Sequence, residues 1–183
     1  MFIQTESTPN PLTLKFIPGV TVMEDGTAFY TNKDAAIHSP LALALFDISG
    51  VNAVFLGADF ITVTRAESTG WDVMKPALLT TIMEYFVSGQ RAQSAKKASG
   101  NAISDDDDEI VKQIKELIET RVRPAVAMDG GDIVYHSFEE GIVKLELHGS
   151  CSGCPSSTAT LKNGIENMLR HYVPEVLAVE AVE

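Results

Sequence analysis

Cys151 and Cys154 are the only two cysteines in a chain of 183 residues, and they sit two residues apart in Gly149-Ser150-Cys151-Ser152-Gly153-Cys154-Pro155-Ser156-Ser157. Thiols at this spacing can point at one centre, and a turn eased by Gly153 lets backbone N–H groups face the same point. Such a loop can hold a metal or cycle through a disulfide. Pro155 has the fixed φ favoured in a first helical turn, and Ser156, Ser157 and Thr158 are types that satisfy free N–H groups there. A helix is therefore predicted to begin at the second cysteine. Its dipole would favour thiolate over thiol at Cys154, and thiolates are the form that binds metals.

The elements around the loop are those needed to place it. Ile133 to Phe138 and the alternating run Ile142 to His148, joined at Glu139-Glu140-Gly141, predict a hairpin that feeds directly into the cysteines. Leu161, Ile165, Met168, Leu169 and Tyr172 predict an amphipathic helix after them, and Val176 to Val179 a closing strand. Upstream, Ile110, Val111, Ile114, Leu117, Ile118 and Val122 trace the apolar face of a helix ending near Arg123-Pro124. Asp129-Gly130-Gly131-Asp132 reads as a tight connection that needs glycine freedom. The acidic run Asp105 to Glu109 invites a metal reading, but consecutive carboxylates on a helix cannot all face one ion. Ser104 as N-cap, with Asp107 three residues on and acids complementing the dipole, accounts for it better.

The first half is a separate unit without cysteine, with His38 as its one histidine. Phe2 to Glu6 and Leu12 to Ile17 predict strands. A polar turn follows at Glu24-Asp25-Gly26, and Ser39-Pro40 opens a short helix over Leu41 to Phe46. Val51 to Leu56 and Phe60 to Arg65 predict a hairpin, and a longer helix after Trp71 presents Leu78, Leu79, Ile82, Met83, Phe86 and Val87 to the sheet. The fold class expected is α+β: two small α+β domains, 1–88 and 104–183, joined by a flexible linker over 89–103 whose small polar residues show no hydrophobic period.

Composition narrows the function. A formal charge of -11, spread over all segments, opposes binding to phosphate backbones and anionic lipid. Neither nucleic acid nor membrane is expected as a partner. No apolar run approaches the roughly 18 to 20 residues that span a bilayer, and the start Met1-Phe2-Ile3-Gln4 lacks a signal-peptide pattern. A soluble intracellular protein is expected, in which two cysteines serve chemistry and not a disulfide scaffold.

Arg123-Pro124 through Asp129-Gly130-Gly131-Asp132, then Gly149 to Ser157, then Thr160-Leu161-Lys162-Asn163-Gly164-Ile165-Glu166 together resemble the NifU C-terminal domain. Thr8-Pro9-Asn10-Pro11, Leu14-Lys15-Phe16, Ser39-Pro40-Leu41 and Gly57-Ala58-Asp59-Phe60-Ile61-Thr62-Val63 resemble the Nfu N-terminal domain. The resemblance implies an iron-sulfur cluster scaffold or carrier without catalytic turnover. It would hold a [4Fe–4S] cluster between two subunits through Cys151 and Cys154, receive it from upstream assembly machinery and pass it to apo-enzymes. The chain starts at the Nfu domain without the Arg- and Ser-rich extension of a mitochondrial precursor, so a bacterial cytoplasmic protein is expected, or a processed form in the mitochondrial matrix.

Ligand arithmetic agrees. A cubane cluster or an all-cysteine tetrahedral site needs four thiolates, so two chains must meet, most simply on a two-fold axis. Zinc could bridge the same four thiolates, and the isolated protein could hold [2Fe–2S]. The spacing alone also fits a thiol-disulfide redox motif, although only one helix and one short strand remain after it, less than a thioredoxin-like fold needs. A purely structural interaction module is the remaining reading. His136 and His148 lie on the hairpin strands and could approach the site, His171 suits a helix C-terminus, and Lys162 could steady a cluster's charge; for each, a hydrogen-bonded or solvated surface role is the simpler reading. The first domain is expected to recognise clients or control access.

Overall fold

The computed structural model describes residues 1–90, 93–94, 102–153 and 155–182. The chain forms two compact units, 1–97 and 98–183, both α+β. Most of the expected linker, 91–92 and 95–101, lies outside the described residues. No described helix is long and apolar enough to cross a membrane.

In the first unit β1 (Gln4–Ser7), β2 (Thr13–Ile17), β4 (Ala28–Tyr30), β5 (Val51–Leu56) and β6 (Ile61–Arg65) build one antiparallel sheet, ordered β1-β2-β6-β5-β4. Alternation puts Phe16, Val54, Leu56, Ile61 and Val63 in a core with Leu41, Ala42 and Leu45 of α1 (Pro40–Phe46) and with α2 (Trp71–Val87). Ser39 caps α1 as its type demands, its Oγ accepting from the Ala42 N–H at 3.3 Å, and Pro40 stands in the first turn.

Two expectations for this unit need correction. The segment at Glu24-Asp25-Gly26 is not only a turn, because Met23–Asp25 forms a short strand, β3. It pairs in parallel with β7 (Gln93–Ser94), and β4 follows after Gly26, whose φ is 70°. The buried stripe of α2 is Met74, Leu78, Ile82 and Tyr85, while Met83 and Val87 are exposed. Residues at i, i+4, i+8 and i+11 share one side of a helix, whereas Met83 is about 100° round from Ile82. Six apolar residues on one helix had made the face look wider than it is.

The second unit is a three-stranded mixed sheet, ordered β10-β9-β8, with helices packed into its core. β8 (Gly131–Glu139) and β9 (Ile142–Gly149) form the expected hairpin. Its two-residue turn has φ of 50° at Glu140 and 80° at Gly141, the left-handed pair that matches strand twist. α5 (Pro155–Tyr172) begins just after the second cysteine, as expected. It leads to β10 (Ala178–Val182), which pairs in parallel with β9 and lies slightly beyond the segment expected to close the sheet. Ile165 and Leu169 of α5 are buried, but Tyr172 is about half exposed beside Arg121.

Before the hairpin the structure departs from expectation twice. α3 (Glu109–Leu117) starts later than expected, with Asp108 and not Ser104 as N-cap. The Ser104 N–H does donate to Asp107 Oδ2 at 2.8 Å, but in a turn ahead of the helix. That carboxylate is claimed by Lys115, whose Nζ donates to it at 2.7 Å and to the Ala102 carbonyl at 3.0 Å. The Lys115 ammonium and the Ser104 N–H hold the Asp107 carboxyl below its usual range. Nor does the chain leave the helix at Pro124. A π-helical turn (Ile118–Val122) follows α3, and α4 (Arg123–Met128) continues with Pro124 in its first turn.

The reason lies in Ile114, Ile118, Val122 and Val126, all buried at a spacing of four. Four residues of α-helix turn about 400°, so such a stripe drifts by about 40° per step. The wider i→i+5 turn, in which the Arg123 N–H bonds the Ile118 carbonyl, takes up that drift and keeps all four on the sheet.

The corrected α2 face is testable. Ile82→Ala should lower the unfolding free energy by about 2–5 kcal/mol, while Met83→Ala should stay within about 0.5 kcal/mol. Urea midpoints measured at unchanged slope decide it, and equal losses would contradict the assigned face.

Candidate metal centre

The loop between β9 and α5 is folded by its own small residues. Gly149 and Gly153 take φ of 67° and 77°, a region costly to other L-residues, and so let the chain reverse within five residues. The Ser152 N–H and Oγ both donate to the Gly149 carbonyl, at 3.2 and 2.9 Å. Thr158, in the first turns of α5, donates its Oγ1 to the Cys151 carbonyl at 3.2 Å and so ties helix to loop.

The loop rests on Asp129-Gly130-Gly131-Asp132, and here lies the reason for the two glycines. The Ser150 N–H donates to the Gly130 carbonyl at 3.2 Å, and Ser150 Oγ donates to the Asp129 carbonyl. Gly130 turns the chain with φ of 80°. Gly131 is required for space: a Cβ there would run into Cys151 Sγ and stand 2.8 Å from the His148 carbonyl. Asp132, buried, is gripped by Arg123, whose Nε and Nη2 donate to its two oxygens at 2.8 and 2.9 Å; Oδ1 also accepts from the Ile133 N–H at 2.8 Å. Nη1 of Arg123 reaches both Glu119 oxygens at 3.0 and 2.9 Å. Asp132 and Glu119 together raise the pKa of the guanidinium, so this fork is always charged.

Cys151 is only 5% exposed and belongs to the core cluster with Ile133, Leu147 and Ile165. Burial pushes its thiol up to about 11; a hydrogen bond with Ser150 offsets this in part, and the charges of Asp129 and Asp132 add to it. The dipole argument therefore does not extend to Cys151, which rests as a thiol. Cys154, the second expected ligand, lies outside the described residues. Among the described residues no group of three or more His, Cys, Asp or Glu side chains converges as a metal site.

The other residues singled out by sequence stay away from this chemistry. His148 Nε2 pairs with Glu146 Oε1 at 2.9 Å on the strand face opposite the core residues Val143, Leu145 and Leu147. His136 is exposed at a bulge of β8, His171 stacks edge-on with Tyr172, Lys162 is half-buried on α5, and His38 is exposed in the first unit. Sequence reasoning missed Ser150 and Arg123 as parts of the seat. Arg123 was hidden because its neighbour Pro124 reads as a helix end.

Residues 3–89 match the family model described as scaffold protein Nfu/NifU N terminal, and residues 114–180 match the NifU-like domain. The chain is 55% identical over 183 residues to the NFU1 iron-sulfur cluster scaffold homolog, mitochondrial, of Homo sapiens, covering 100% of this chain and 72% of that protein. The chain belongs to the Nfu/NifU scaffold family. NifU-like protein 4, mitochondrial, of Arabidopsis thaliana is likewise 55% identical over 185 residues, covering 98% of this chain and 65% of its own. A solved structure of a NifU-like protein from Saccharomyces cerevisiae aligns at 25% identity and a TM-score of 0.47, over 52% of this chain and 87% of that one. The cysteine loop, its seat and the Arg123 clamp all fall within the NifU-like domain.

Two measurements test this geometry. In a Cys154→Ser variant, alkylation of Cys151 should be slow at pH 7 and rise about tenfold per pH unit through pH 10, because thiolate accumulates only on approaching the raised pKa. A plateau reached by pH 9 would mean an ordinary thiol. Gly131→Ala should destabilise the unit by about 1–3 kcal/mol through overpacking and speed Cys151 alkylation as the loop is pushed off its seat, compared with wild type at one pH.

Proposed function

We propose that this chain is an iron-sulfur cluster scaffold and carrier, which holds one [4Fe–4S] cluster between two subunits through Cys151 and Cys154 of each and hands it to apo-proteins. The observation that carries the reading is the seat of the cysteine loop. A glycine kept bare for a sulfur, two carbonyls bonded to Ser150 and the half-buried Arg123 fork on buried Asp132 give the Cys151 sulfur one defined resting place in the loop that carries both cysteines. The name of the human relative supports the cargo, since it calls that protein an iron-sulfur cluster scaffold homolog.

The donor set fits that cargo. Cysteine sulfur is the soft ligand preferred by iron-sulfur clusters, and one chain offers half of the four thiolates required. On loading, each thiol gives its proton to solvent as its sulfur bonds iron; on transfer, client thiolates replace these bonds and the carrier sulfurs take protons back. Because each sulfur–iron bond displaces a proton, the proton competes with iron for the sulfur. That competition moderates retention, as hand-over requires.

Only one helix, α5, and one strand, β10, follow the cysteines, less than a thioredoxin-like fold needs, and this counts against the thiol-disulfide reading. The Nfu N-terminal domain is assigned to client recognition or control of access. The relatives named above carry the word mitochondrial in their names, which favours that organelle over the bacterial cytoplasm as the place of work.

The test is anaerobic reconstitution with iron and sulfide, with iron content and mass determined together. The expected product is a dimer with about four iron ions, lost in Cys151→Ala and in Cys154→Ala. A zinc-only dimer, or a monomer that reduces disulfides, would overturn the carrier reading.

A further inference from the structure

We propose that Ser150 is a positioning residue that latches the cysteine loop onto its seat, so that Cys151 meets iron only when the latch opens. The inference rests on the carrier reading for its purpose, but the latch itself is a property of the chain alone.

Cys151 is stored in the hydrophobic core of its own unit, 5% exposed, with its sulfur against the bare Gly131 backbone. A sulfur that shares a cluster with a second chain has to face outward. Segment 149–153 must therefore move, and its construction shows where. Gly149 and Gly153 bracket it with left-handed φ, so each end can change conformation at little steric cost. Between them Ser150 is 2% exposed and reaches the seat twice, through its N–H to the Gly130 carbonyl and its Oγ to the Asp129 carbonyl. Ser152, by contrast, bonds the Gly149 carbonyl within the loop.

The seat is the fixed partner in this pair. Asp132, directly after it, is anchored by Arg123 and the Ile133 N–H, and β8 begins at Gly131. Opening thus costs the two Ser150 bonds, the Thr158 bond to the Cys151 carbonyl and the burial of one thiol, while the β8–β9 ladder beyond its terminal Gly131–Gly149 pair stays formed. Removing the Oγ bond should shift the closed-to-open ratio about two- to tenfold, the range expected for one neutral hydrogen bond.

The experiment is amide hydrogen exchange on the unloaded full chain, in wild type, Ser150→Ala and Ile133→Val. The last thins the core beneath the same sheet and controls for general loosening. In wild type the amides of 150 and 152 should exchange faster than those of the β8–β9 ladder, which marks opening short of global unfolding. Ser150→Ala should speed residues 150–152 further by about two- to tenfold while the ladder stays put, whereas Ile133→Val should not speed the loop selectively. Reconstitution then supplies the functional readout: Ser150→Ala should take up cluster faster and also lose it faster to a chelator.

Loop amides that exchange only with the ladder would overturn the latch, even if Ser150→Ala proved too unstable to study. So would unchanged uptake and loss rates in a variant whose loop had opened. A wild type that binds no cluster at all would instead defeat the carrier reading, and the exchange data would still decide whether Ser150 holds the loop.

Discussion

The contact between Cys151 Sγ and the backbone at Gly131 constrains the rest of the second unit. A sulfur can lie there only because no Cβ occupies the space. It can lie there repeatably only if both backbones are fixed, and the hairpin register sets Gly131 opposite Gly149, at the end of the ladder where the loop departs. Asp132 next to Gly131 is then the natural place for a clamp. A buried carboxylate is costly unless paired, and the Arg123 fork meets it with two parallel bonds while the Ile133 N–H supplies a third.

That clamp in turn explains the helical segment before it. Arg123 must sit at a fixed position relative to β8, while the apolar stripe from Ile114 to Val126 must stay on the sheet. A regular α-helix with apolar residues every four positions cannot do this over three steps, and the π-helical turn resolves the conflict. The other end of the hairpin is tied to the same problem. The Glu140–Gly141 turn fixes the register by its two left-handed residues, and the bulge of β8 between Tyr135 and Ser137 shifts it by one before the strands reach Asp132 and His148. Without that bulge, Gly131 would not lie opposite Gly149.

The parts legible in the sequence were those governed by short-range rules. The hairpin, the start of α5 beside the second cysteine and the Ser39-Pro40 cap each follow from turn residues or a local period. What escaped was governed by tertiary partners. Lys115 looks like a solvated helix lysine until Asp107 and the Ala102 carbonyl come within reach of its ammonium. Pro124 looks like a helix stop because a proline in mid-helix removes a backbone bond, yet the chain stays helical through it, with the bonding pattern changed to a π turn just before it. Ser150 looks like one small loop residue among several, and only the position of the Asp129 and Gly130 carbonyls gives it a task. The spacing of four in Ile114, Ile118, Val122 and Val126 was the one sequence signal that could have exposed the π-turn.

The dipole argument made from the sequence for Cys154, which lies outside the described residues, does not carry over to Cys151, and this bears on function. A helix N-terminus favours negative charge only close by, whereas Cys151 lies well ahead of the start of α5 at Pro155 and packs into the core, where desolvation and the nearby Asp129 and Asp132 charges favour the protonated form. A site built for permanent metal retention would surround its sulfur with positive charge and N–H donors, so that thiolate was the resting state. Here Arg123, beside the seat, is spent on Asp132 and Glu119. The chain thus invests in the position of Cys151 and not in its acidity. Under the carrier reading that division is coherent: the seat stores the sulfur until the loop opens to iron, and a proton ready to reclaim the sulfur favours its return there.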